Sequence, residues 1–117
     1  MSEDDNPVVK EKIETIGKIQ GPEKCDYCAE TDEEIKNRVR HSGRSIEYEF
    51  IDVDTDKAKD ILEEEKIKGK NVSIPVVRKC DIHKDGKKDC TTIVGQPTKK
   101  DWVDMELDSL DSALDEL

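Results

Sequence analysis

The 117-residue sequence is poor in aromatic residues, with one Trp, two Tyr and one Phe. Packing therefore falls to Ile, Val and Leu. Hydrophobic residues make up 32% of the chain and charged residues 43%. So lean a sequence of this length is expected to fold as one domain, 1–117. It has no apolar run near the ~20 residues that a membrane-spanning helix needs. It also has no basic excess, since the net charge is −10. An acidic surface repels phosphate backbones and anionic bilayers, so neither nucleic acid nor a membrane is expected as a partner. The start, "MSEDDNP", contains no apolar secretory segment. The cytoplasm is the expected location, with residues 1–7 as a disordered tail. Acid richness can signal a salty habitat, but sixteen of the twenty cations are lysine, which fits a heat-adapted, highly charged surface no worse. No Ser/His/Asp set, phosphate loop or paired-carboxylate site stands out.

Glycine and proline are few, six and four, and they act as punctuation. "QGPEK" (20–24) reads as a turn. A strand is expected near 13–19, from Ile13, Ile16 and Ile19, although spacing three suits a helix as well. A helix follows from about Tyr27 to Arg40, with Ile35 and Val39 inward and His41-Ser42-Gly43 at its end. "SIEYEFIDVD" (45–54) loads both faces with apolar residues, so it is expected as an interior strand. Asp54 or Thr55 caps a second helix to about Ile67, with Ala58, Ile61 and Leu62 inward. "GKN" (69–71) turns the chain. Strands at 72–80 and 90–95 flank a polar loop, 81–89, centred on Asp85-Gly86, a hairpin signal. Thr98 and Asp101 form a capping-box pattern before a last helix. Its stripe is Val103, Leu107, Leu110 and Leu114. The acid runs at 30–34 and 63–65 read as solvated faces. The order β-α-β-α-β-β-α predicts an α/β fold, a mixed four-stranded sheet flanked by about three helices.

Four cysteines remain. Cys25 and Cys28, in "KCDYCAE", stand where a turn becomes a helix. Free amides and the positive end of the helix dipole would face the Cys25 sulfur. Such positions lower a thiol pKa from ~8.5 into the range of roughly 3.5–7.5. Cys28, one turn on, is placed to resolve a mixed disulfide. Lys24 favours the Cys25 thiolate, whereas Glu23 and Asp26 oppose it. In a reducing compartment, a CxxC pair is more often catalytic or metal-binding than a static bridge.

"CDYC" before a helix, a later "SIP" and a hairpin ending in glycine resemble the glutaredoxin and thioredoxin superfamily over about residues 13–114. The resemblance implies a thioredoxin-like fold and a redox-active CxxC, with Cys25 and Cys28 as the catalytic pair. It implies thiol–disulfide oxidoreductase activity, electron transport and cell redox homeostasis. Disulfide-containing proteins or small molecules would be substrates. Glutathione or a dedicated reductase would donate electrons, with no bound cofactor, and the protein would be a monomer. Tyr27 matches the glutaredoxin tyrosine, and Asp26 stands where glutaredoxins have proline. Pro75 takes the place of the family's cis proline. With Lys24, Tyr27, Ile74 and Gly95 it would form the substrate-binding surface. Two glutathione-binding features are missing: Pro22 fills the slot of the upstream lysine, and "VGQPT" keeps only Gly95 of a glycine pair.

The other reading is a non-catalytic zinc-binding or interaction domain on the same scaffold. Cys80, His83 and Cys90 in "CDIHKDGKKDC" give it substance. Centring the hairpin on Asp85-Gly86 sets Cys80 opposite Cys90 and Pro75 opposite Gly95. In the family the proline end faces the CxxC. Five residues then separate Cys80 from that end, roughly 16 Å along a strand. Zinc–sulfur bonds are ~2.3 Å, so all four cysteines cannot share one ion. Three fates stay open for Cys80 and Cys90: a second disulfide, a metal site with His83, or free thiols. His83 is expected in solvent and His41 at a helix terminus.

Overall fold

The computed structural model describes residues 6–22, 24–67 and 74–107. Its elements are β1 (Val8–Gly17), α1 (Asp26–Ser42), β2 (Ile46–Asp52), α2 (Asp56–Glu64), β3 (Val76–His83), β4 (Lys88–Val94) and α3 (Lys99–Asp104). The strands form one sheet in the order β2-β1-β3-β4. β2 runs parallel to β1, while β3 is antiparallel to both β1 and β4. This is the expected thioredoxin-like α/β fold.

Two apolar clusters hold the layers together. On one face Ile13 packs with Ile35 of α1, Val77 of β3, and Trp102, Met105 and Leu107 in and after α3. On the other, Ile16, Ile51 and Val76 meet Ala58, Ile61 and Leu62 of α2. The spacing of three between Ile13 and Ile16 is therefore that of a strand buried on both sides. Side chains alternate across a strand, so an odd offset sends the two to opposite faces.

Several expected boundaries move. β1 starts at Val8, before the expected 13–19, because its polar first half pairs with β3 out to Val8 opposite His83. β2 is an edge strand and not an interior one. Helices cover both faces of the sheet, so apolar residues on two faces report the layers above and below, not neighbours in the sheet. α2 stops at Glu64, short of Ile67, where Glu65 caps it and Lys66 turns to φ 59°. Ile67 still packs, partly buried, on the α2 cluster. Of the strand expected at 72–80, residues 72 and 73 lie outside the described residues, and the strand runs from Val76, after Pro75, on to His83. Pro75 has no N–H to give to a ladder.

The hairpin register is the expected one, with Cys80 opposite Cys90. The loop shrinks to about four residues, closed by a bond from His83 N to Lys87 O of 2.8 Å. Gly86 takes the positive φ of 92° that this turn needs. The capping box of Thr98 and Asp101 is present, but α3 has six residues. Leu107 is buried just beyond it. Leu110, Leu114, Glu23, the turn at 69–71 and tail residues 1–5 lie outside the described residues. Asn6 and Pro7, expected in the tail, are tied to the hairpin instead. The backbone oxygen of Asn6 bonds His83 Nδ1 at 2.9 Å, and Lys84 N donates to Pro7 O at 2.9 Å.

Candidate functional site

The site grows from the end of β1. Gly17 is the last strand residue, and its oxygen accepts from Val53 N at 2.9 Å, tying β1 to the chain after β2. Lys18 O then accepts from Cys25 N at 2.7 Å, so the turn between them closes directly on the strand. This bond fixes where α1 begins. Cys25 is its N-cap, with φ −104° and ψ 120°. Its sulfur accepts from Cys28 N at 3.3 Å. That amide is one of the donors a helix start leaves unpaired.

The two sulfurs differ in exposure. Cys25 is half-buried, whereas Cys28 is 0% exposed. Burial, first, and the hydrogen bond with Cys25, second, push the Cys28 thiol up to about 12, against a smaller opposing bond from the Lys18 backbone. The accessible sulfur is thus the one that caps the helix.

The expected partners converge from distant parts of the chain. Cys25 Sγ lies 3.9 Å from Ile74 O. The Ile74–Pro75 peptide is cis. Gly95 N donates to Pro75 O at 2.7 Å, which places Gly95 beside the proline. Ile74 thus borders the Cys25 sulfur, Pro75 follows it in the chain, and Gly95 is bonded to Pro75. Lys24 precedes the pair and Tyr27 lies between its two cysteines, and both residues stand in solvent, Tyr27 at 61%.

The structure adds residues that the sequence reading missed. Asp32 belongs to an acid run expected in solvent, yet it is buried. It lies one turn beyond Cys28 and accepts from the Tyr48 hydroxyl at 2.7 Å. The Thr15 hydroxyl is 3.1 Å from the same phenol. Burial, first of all, holds the Tyr48 hydroxyl above its ordinary value. The offset of four from Cys28 was the available signal, since it stacks the two residues on one helix face. The Lys18 ammonium is clamped by Asp52 at 3.1 Å and Asp54 at 2.7 Å.

Gly17 is the residue on which Cys28 rests. A Cβ there would come within 2.7 Å of the Cys28 sulfur, 3.0 Å of its Cβ and 3.2 Å of Phe50 Cζ. Gly17→Ala should cost about 1–3 kcal/mol through overpacking. It should also displace Cys28, so that alkylation of Cys28 in the folded protein speeds up. Chemical denaturation and mass-resolved alkylation check both. An alanine variant of unchanged stability and labelling would mean that Cys28 does not rest on the strand.

The other cysteines form a Cys80–Cys90 disulfide with a Cα separation of 4.1 Å. Joined to each other, they offer no thiolate to a metal. His83 is not simply in solvent: it is half-buried and bonds Asn6 O and Asp89, each at 2.9 Å. His41 is exposed in the last turn of α1, its Nδ1 2.6 Å from Asn37 O. Among the described residues, no group of three or more His, Cys, Asp and Glu is placed to hold a metal ion. No helix among them is long and apolar enough to cross a membrane.

No family model matches the chain, and no curated protein does. A solved structure described as "Structure of a malarial protein" is similar, with a TM-score of 0.56 at 13% identity. The match covers 83% of this chain and 93% of that one. At that identity the likeness speaks for the fold alone.

Among the described residues, α1 borders two hollows of note. One of about 440 Å³, between Arg38, His41, Arg44 and Glu106, sits at the helix end remote from the cysteines. The other, about 270 Å³, is lined by Glu30, Thr31, Glu34, Gln96, Pro97 and Trp102, next to the reactive end.

Proposed function

We propose that the protein is a thiol–disulfide oxidoreductase of the glutaredoxin and thioredoxin kind, with Cys25 as attacker and Cys28 as resolver. One observation carries this reading. The accessible Cys25 sulfur caps α1 and accepts the Cys28 amide, while the Cys28 thiol is wholly buried and held protonated.

The steps balance without a bound cofactor. The Cys25 thiolate attacks one sulfur of a substrate disulfide. An S–S bond forms to Cys25, and the substrate's other sulfur leaves as a thiolate and takes up a proton. Cys25 is then uncharged, so its share of the pressure on the Cys28 thiol disappears. Cys28 loses its proton and attacks Cys25 Sγ, releasing the second substrate thiol. The two electrons lost by the pair have gone to the substrate. An external thiol, glutathione or a reductase, must restore the dithiol. The backbone at Ile74 and Pro75 supports an extended substrate beside Cys25. The working location in this reading is the cytoplasm.

The test is a thiol titration with metal analysis on protein purified under reducing conditions, followed by insulin reduction. We expect no stoichiometric zinc, a Cys25–Cys28 disulfide after mild oxidation, and turnover with dithiothreitol. Turnover with glutathione should be slower, because Pro22 stands where a lysine would bind it. Zinc lost together with the Cys25 and Cys28 thiols would instead support the metal-binding domain. Saturation by micromolar glutathione would overturn the ranking of donors.

A further inference from the structure

We propose that the hollow between α1 and the β4–α3 turn is a subsite for a cationic side chain, a lysine of the disulfide-bearing substrate. The inference rests on the thiol–disulfide reading above for its role, but the pocket can be tested without it.

Position comes first. Thr31 lies one helical turn beyond Cys28, and Gln96 follows Gly95, which bonds to Pro75. The hollow thus opens beside the surface that borders the Cys25 sulfur. At about 270 Å³ it is smaller than the ~300–1,000 Å³ that take a drug-sized ligand, and suits one side chain.

Its chemistry selects the charge. Two carboxylates line it, Glu30 and Glu34, with no lysine or arginine among the lining residues. Glu34 already pairs with Arg38 at 2.9 Å, so Glu30 is the acceptor for an incoming cation. Gln96 Nε2 donates to Glu30 Oε2 at 3.2 Å, which holds the carboxylate in place and leaves the amide oxygen of Gln96 as a second acceptor.

Thr31 is the independent observation. The residue is 1% exposed and its hydroxyl has no hydrogen-bond partner. Buried polar groups are rarely left so, because each costs free energy. Thr31 lines the hollow and its unpartnered hydroxyl is itself closed to solvent, so a group that presses into the hollow can complete it. An ammonium has three donors and no acceptor. Glu30, Thr31 and Gln96 offer three acceptors. Pro97, with the part of Trp102 left by the Arg38 guanidinium that lies 4.6 Å from its ring centroid, supplies the apolar wall for the methylene stem. A carboxylate in the same place would meet Glu30 and Glu34 with its own charge, which disfavours anionic disulfides, oxidised glutathione included.

The experiment uses two cystine-bridged peptides that differ only in a lysine or a glutamate flanking the bridge. Reduction by the full chain is followed at low salt. We expect kcat/KM to favour the lysine peptide by roughly tenfold. The preference should fall to near unity in Glu30→Gln, weaken in the isosteric Thr31→Val and survive in Glu63→Gln, an exposed acid on α2. Equal rates for the two peptides, or a preference untouched by Glu30→Gln, would overturn the subsite. If neither peptide is reduced, the redox reading falls and binding decides the subsite alone. Calorimetry with the same peptides carrying alanine for both half-cystines should then show tighter binding of the lysine peptide, lost in Glu30→Gln. Equal binding would overturn the subsite on this arm too.

Discussion

Arg78→Met should cost the fold about 3–5 kcal/mol at neutral pH, the range for stripping one partner from a buried ion pair. Arg78 is 5% exposed, in the middle of β3. Its Nη2 and Nε reach Glu14 Oε1 at 2.8 and 3.0 Å, and Glu14 is itself 3% exposed. Its Nη1 reaches Glu64 at 2.8 Å and Glu65 at 3.3 Å, fastening the end of α2 to the sheet. Methionine keeps the apolar stem and removes five donors. Glu14 would then sit buried in the sheet without its arginine, with Lys12 Nζ 3.8 Å away. The double change Arg78→Met with Glu14→Leu should recover most of the loss, because no charge is left buried.

The contact of Arg78 with the more exposed Glu64 gives a pH dependence with a definite sign. The hydrogen bond from Arg78, first, holds the Glu64 carboxyl below its ordinary 4.5. A depressed folded pKa contributes stability that is present above the unfolded value and is lost as pH falls through the folded one. The wild type therefore loses this contribution below about pH 4.5. The Arg78→Met chain has none to lose, so the gap between the two should narrow in acid. Urea denaturation at pH 7 and pH 4 measures it. A loss below ~1 kcal/mol at pH 7 would mean that Arg78 behaves as a surface residue.

This ion pair also marks where sequence reading stops. "VSIPVVRKC" showed a strand through its β-branched residues, and Pro75 with Gly95 was placed by counting across Asp85-Gly86. Those signals are local, or one hairpin apart. Glu14 and Arg78 are 64 residues apart, and nothing local says that either is buried. Hydrophobic patterning treats both as surface residues. The edge position of β2 was hidden for a related reason. Burial by helices above and below a sheet is written in the side chains, while the order of strands within it is written in long-range pairing. At the site, the helix-capping place of Cys25 was legible from the turn before it. Gly17, Tyr48 and Asp32 were not, because they meet only after β1, α1 and β2 have packed. Asp32 was within reach by its helical spacing from Cys28, and composition drew it instead into a solvated acid run.

Cys25→Ser should reduce disulfide turnover to background, and Cys28→Ser should instead trap substrate on Cys25. The difference follows from access and proton affinity. The thiolate is the attacking species in exchange, and a serine hydroxyl does not replace it. Cys25 is the half-exposed sulfur, while Cys28 has no exposed surface and a thiol pushed up to about 12. Burial, the largest cause of that upward push, remains when Cys25 is replaced, so the Cys28 thiolate stays scarce at neutral pH as well as enclosed. Cys28 therefore cannot take over first attack when Cys25 is gone. When Cys28 is the residue removed, Cys25 still attacks, but nothing expels it from the mixed disulfide except an external thiol. Mass spectrometry should show the trapped adduct on Cys25 with a protein disulfide, and slow release by added glutathione. Serine keeps the size of either site to within one atom, so circular dichroism should show both variants folded. The decisive control is timed alkylation of the reduced wild type between pH 6 and 8, in which Cys25 should label first throughout. If Cys28 labels faster, the two roles are reversed. If Cys25→Ser retains turnover in the folded protein, the pair is not the reacting centre.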